Sequence, residues 1–126
     1  MKITTFDPLI MSAAADDVIG VFEDLGFKKT HAPVTDTGDM IYQTIRMKHE
    51  GGYHVDVADV PDIGEDRTCM RMNVDDFQEA YDLLISRGFK NELSDRTVKT
   101  SHSKEATMVS PSGFSVVLIE HIRKEG

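Results

Sequence analysis

The feature that most limits how this 126-residue chain can fold is a repeat inside it. From Asp16 to Leu25, the residues Val18, Val21, Phe22 and Leu25 fall at i, i+3, i+4 and i+7, the apolar stripe of an amphipathic helix. Gly26-Phe27-Lys28 then ends it. From Asp75 to Leu84, Phe77, Ala80, Tyr81 and Leu84 repeat that spacing, and Gly88-Phe89-Lys90 closes the segment. The two Gly-Phe-Lys triplets lie 88 − 26 = 62 residues apart. In both, Gly fits the left-handed turn that stops a helix, and the following Phe can fold back over the last turn. The pattern predicts helices over 14–25 and 75–87.

Each helix has one strand-like segment before it and two or three after it. In the first half these are 3–11, then 40–48 and 53–60, with Glu50-Gly51-Gly52 as the turn between the last two. In the second they are 68–74, then 97–100, 105–109 and 114–121, with Ser110-Pro111-Ser112-Gly113 placed as a type I turn. Only 60–66 has linker chemistry, and it lies between the copies. The expected fold class is α+β: one domain, 1–126, of two βαβββ modules over about 1–60 and about 67–122.

Composition supports a packed core, with 40% hydrophobic and 29% charged residues. Fourteen Lys and Arg against 22 Asp and Glu give 14 − 22 = −8, which argues against nucleic acid or an anionic membrane as a partner. The opening residues have no signal-peptide pattern, and the single Cys69 cannot form an internal disulfide, so a cytoplasmic setting is expected.

The paired modules, the helix ending "VFEDLGF", the opening "MRMNVDDFQEAYDLLISRGF" and the closing "VSPSGFSVVLIE" resemble the vicinal oxygen chelate superfamily. That superfamily includes glyoxalase I, bleomycin-resistance proteins and extradiol dioxygenases, and the likeness spans about residues 3–121. It implies a glyoxalase/bleomycin-resistance/dioxygenase-like fold in which the mixed sheet forms a cup around a ligand. It also places the polar stretch 94–104, read as a mobile loop, at the cup mouth.

Period-two alternation sorts the strands. Met70, Met72 and Val74 are the packing set of their strand, leaving Cys69, Arg71 and Asn73 on the other face. Tyr53, Val55 and Val57 leave His54, Asp56 and Ala58, while Phe114, Val116 and Leu118 leave Ser115, Val117, Ile119 and His121. Metal-dependent relatives place one ligand on the first and one on the last strand of each module. Here the family pattern falls on Pro8, Asp56, Cys69 and Val117, with matching separations 69 − 8 = 61 and 117 − 56 = 61. Two of these have no donor, so no metal and no cofactor is expected.

The candidate ligand-binding residues are His54, Asp56, Arg71, Cys69, Tyr42 and Val117. Arg71 would meet a carboxylate ligand or pair with Asp56, and Tyr42 would join the cup wall with Arg46. His54, Asp56 and Cys69 could instead form a zinc set or a nucleophile, base and orienting group, but no catalytic residue is assigned. The first functional reading is a small-molecule binding protein that has lost the family metal. The alternative is a glyoxalase- or dioxygenase-type enzyme with a non-standard site, and a third has the cup as a vestige and the protein acting through dimerisation. A homodimer is expected, because curved sheets leave edges that need cover.

Overall fold

The computed structural model describes residues 1–36, 41–92, 97–99 and 103–122. They form β1 (Ile3–Ser12), α1 (Ala15–Asp24), β2 (Phe27–His31), β3 (Val34–Asp36), β4 (Ile41–His49), β5 (His54–Asp59) and β6 (Arg67–Val74). These are followed by α2 (Phe77–Ser86), β7 (Lys90–Asn91), β8 (Val98–Lys99), β9 (Ser103–Val109) and β10 (Ser115–His121). The chain divides into two compact units, one of Asp7–Thr68 and one of Met1–Phe6 with the chain from Cys69 onward.

Each unit repeats one topology. In the first the strand order is β2-β4-β5-β1, with β1 parallel to β5 and the other neighbours antiparallel. In the second it is β7-β9-β10-β6, with β10 parallel to β6 and the others antiparallel. β3 also pairs with β4, and β8 with β9. Strands β5 and β10 thus occupy equivalent places, as the repeat requires. Residues 1–6 join the second unit through a reciprocal contact: the Lys2 amide donates to Asp75 Oδ1 at 2.6 Å, and the Asp75 amide donates to the Lys2 carbonyl at 3.1 Å.

Both helices end as the triplets require. Gly26 and Gly88 have φ of 98° and 88°, a backbone region open to glycine at little cost. The next residue then folds back: Phe27 meets Phe22 edge-to-face at 5.3 Å, and the Phe89 amide donates to the Leu84 carbonyl at 3.0 Å. At the start of α2, Asp76 Oδ1 accepts from the Glu79 amide at 3.1 Å, and Glu120 Oε1 accepts from the Phe77 amide at 2.8 Å, so two otherwise unbonded helix donors are met.

The stripe of α2 is as expected: Phe77 and Ala80 are buried, and Tyr81 and Leu84 pack beside them. That of α1 is displaced. Ala15, Val18, Ile19 and Phe22 face the core, while Val21 and Leu25 are 57% and 60% exposed. The stripe read from Val18 started one turn late, since it passed over the small Ala15 and set Ile19 aside. The new stripe equals that of α2 shifted by 77 − 15 = 62 residues.

Three strands were not anticipated: β2, β3 and β7. Phe27-Lys28-Lys29-Thr30-His31 carries one half-buried residue followed by exposed ones, so it offers no alternation to read. In the expected loop 94–104, residues 98–99 and 103–104 are strand, while 94–96 and 100–102 lie outside the described residues.

Candidate functional site

In each module one strand face packs on the helix and the other turns away from it. In the first, Ile10, Ile45, Met47, Val55 and Val57 gather against Ala15 and Ile19 of α1. The opposite set includes Asp7 and Leu9 of β1, Arg46 of β4 and Asp56 of β5. Asp56 is 1% exposed, and Arg46, its direct cross-strand neighbour, donates from Nε to Asp56 Oδ1 at 3.2 Å. Tyr42 is half-buried and shares the Arg46 face by alternation, as expected. His54 opens β5 opposite Lys48 and is exposed, so a hydrogen bond lost there has little desolvation cost behind it.

The register corrects the placement of Pro8. Leu9 lies opposite Asp56, whereas Arg71 lies opposite Val117, so the opening strands are related by 71 − 9 = 62 residues rather than 61. Alternation then puts Pro8 on the face of Ile10, which packs toward α1, and gives its expected position to the buried Asp7. A one-residue slip exchanges the faces of a strand, and the local sequence around Pro8 did not fix it.

In the second module Met72, Val74, Ala106, Met108 and Leu118 pack with α2. The other face carries Cys69, Arg71 and Asn73 of β6, Ser103 and Glu105 of β9, and Val117, Ile119 and His121 of β10. Cys69, Val117 and Ile119 are buried there. Arg71 is 6% exposed and donates from Nε to Asn73 Oδ1 at 3.1 Å. Asn73, 4% exposed, has its Nδ2 3.2 Å from Nε2 of the exposed His121.

Glu105 completes this polar set. Burial pushes its carboxyl above the usual carboxylate range, while the Arg71 charge and a Ser103 hydrogen bond pull it part of the way back. Sequence reasoning missed Glu105. Ala106 and Met108 alternate with it as a packing pair, and sorting that strand by alternation would have placed Glu105 and Thr107 on the Arg71 face.

The raised value sets a sign. The neutral carboxyl is favoured in the folded state, so the contribution of Glu105 to stability is present below 4.5, its ordinary value, and is lost as pH rises through the raised one. The Glu105→Gln variant lacks that loss. In urea unfolding, its stability relative to the parent protein is expected to rise as pH is raised from 4.5 toward 8. A difference that stays constant across this range would contradict the assignment.

Among the described residues, no three His, Cys, Asp or Glu side chains stand together as a metal-binding group. No described helix is long and apolar enough to cross a membrane.

No protein-family model matches the sequence, and no curated protein sequence matches it significantly. Solved structures do. The chain is similar to a glyoxalase/bleomycin resistance protein/dioxygenase superfamily member from Vibrio splendidus 12B01, with 13% identity, a TM-score of 0.63, and 94% of this chain and 99% of that one covered. It is similar to methylmalonyl-CoA epimerase from Mycobacterium tuberculosis at 16% identity and a TM-score of 0.70, covering 96% and 90% of the two chains. A variant of the Streptomyces coelicolor methylmalonyl-CoA epimerase in complex with 2-nitronate-propionyl-CoA is similar at 16% identity and 0.64, covering 99% of each. Together with the repeated module topology, these define the fold class: the chain has the glyoxalase/bleomycin resistance/dioxygenase-like fold.

Proposed function

We propose that this protein is a cytoplasmic small-molecule binding protein that has lost the metal site of its superfamily. The observation that carries the reading is the set Arg71, Asn73 and Glu105, held beside buried Val117 and Ile119 on the strand face turned away from α2. Buried polar groups are costly unless bonded, and a few of them among apolar walls are how small-molecule sites orient a ligand. His54 is set aside because it is exposed.

The residues at the family's ligand positions do not fit a divalent ion. After the register correction they are Asp7 and Asp56 in the first module and Cys69 and Val117 in the second. Val117 offers no donor, Asp56 already accepts from the Arg46 guanidinium, and Cys69 is a soft sulfur donor where the first module offers hard carboxylates. No step is routed through a metal.

A second reading, an enzyme of the lyase or isomerase kind, is favoured by Glu105. A half-buried carboxyl raised in pKa on the same face as a buried cation is a common element of proton-transfer sites. Native mass spectrometry with elemental analysis, on protein purified without chelators, tests the proposal. A bound organic molecule that is released unchanged supports it. One tightly held Ni, Zn or Fe per chain, lost in Asp56→Ala, overturns it.

The chain is further proposed to pair with itself. The strand orders of the two modules end at β2 and β7, and an uncovered sheet edge is a template for pairing with another strand. Light scattering is expected to give twice the 14.1 kDa chain mass at micromolar concentration, and a mass near 14.1 kDa would contradict pairing.

A further inference from the structure

The side-chain amide of Asn73 is held between two neighbours that dictate its orientation. Arg71 Nε–H can only donate, so the atom 3.1 Å from it must be the amide oxygen Oδ1. Nδ2 is thereby turned to His121, 3.2 Å from its Nε2. Because Nδ2 can only donate, Nε2 accepts, which requires a neutral imidazole with its proton on Nδ1. The bonds thus run in one direction, from Arg71 at 6% exposure, through Asn73 at 4%, to an imidazole at the surface.

We infer that His121 is a positioning residue for Arg71, bracing the guanidinium through Asn73 when neutral and withdrawing that brace when protonated. Protonation places an N–H on Nε2, facing the hydrogens of Asn73 Nδ2. If the amide turns over to offer Oδ1 to the imidazolium, its NH2 group meets Arg71 Nε–H, donor against donor. If instead the ring swings into solvent, Asn73 loses one of the two bonds that hold its side chain. In either case one link of the series breaks between pH 8 and 5, the window in which imidazoles titrate.

Other groups face the series within the module, among them the buried Cys69, two residues before Arg71 on the same face of β6. Ser103 lies opposite His121 on β9, and Glu105 lies two residues further along the same face, acting on Arg71. Lys104 and Glu120 pair at 4.0 Å on the other face of their strands. Glu105 is the second group able to change the surroundings of Arg71 with pH, so the test must separate the two.

The consequence for ligand binding rests on the reading of Arg71 as a ligand contact, but the test needs no ligand. In ¹⁵N-labelled protein, the Arg71 Nε–Hε resonance is followed from pH 8 to 5 together with the His121 ring. The expected result is a shift of Nε–Hε with the midpoint of His121, a component that is abolished in His121→Phe and retained in Glu105→Gln. His121 is exposed at the end of β10, which favours folding of the variant, and His121→Gln, which also cannot titrate, serves in its place if it does not fold. An Nε–Hε resonance that does not move in the parent protein overturns the inference, as does a component at the His121 midpoint that survives in the His121 variant or vanishes in Glu105→Gln. A chain that binds no small molecule would still show this titration, so the two readings fail separately.

Discussion

Replacing Leu118 with alanine is expected to destabilise the protein by about 2–5 kcal/mol, the usual cost of emptying a leucine site that cannot collapse. Leu118 is fully buried against Val74, Phe77, Ala80, Ala106 and Met108. Its strand is fixed on both sides, parallel to β6 and antiparallel to β9, so the backbone cannot move in to fill the space. Against a total of about 5–15 kcal/mol for a domain, the loss is large. It will show as a lower urea midpoint with the slope unchanged. The matching control is Val21→Ala on the exposed side of α1, expected to change stability by no more than about 0.5 kcal/mol. A larger effect at Val21 would restore the stripe that begins at Val18.

The second large effect is expected at the ion pair of the first module. Arg46→Ala removes a guanidinium bonded at 3.2 Å to a carboxylate that is 1% exposed, and leaves that carboxylate buried. Removing one partner of a buried pair costs about 3–5 kcal/mol, and the side-chain exposure of Arg46, 27%, puts this case near the lower end. Replacing both partners, as Arg46→Met with Asp56→Leu, leaves no buried charge behind and is expected to recover most of the loss. A double variant as unstable as Arg46→Ala would contradict the assignment of this loss to the uncompensated Asp56 charge.

The two outcomes bear on how much could be read without coordinates. The Gly-Phe-Lys triplets gave the repeat, because a glycine helix stop followed by a returning phenylalanine is local chemistry. Alternation gave the faces of β5, β6 and β10, since Val55 and Val57, Met72 and Val74, and Leu118 are plainly apolar against their neighbours. Pro8 was misplaced for the converse reason: β1 has Pro8, Leu9, Ile10 and Met11 in a row, and a continuous apolar run has no phase. Only the pairing of Leu9 with Asp56 fixes it. Glu105 could not be weighed from sequence either, because its carboxyl is raised by burial and partly restored by Arg71, which is 105 − 71 = 34 residues away along the chain.

Amide-resolved NMR tests the proposed metal-independent ligand site on the Arg71 face of the second module. Separate titrations of zinc and of a small-fragment mixture into ¹⁵N-labelled protein are to be compared. The account predicts fragment-induced shifts concentrated in 69–73, 103–107 and 115–121, weakened in Arg71→Ala, with no saturable zinc response at Asp56 or Cys69. Stoichiometric zinc shifts at both residues, or fragment shifts that leave those three segments untouched, would contradict it.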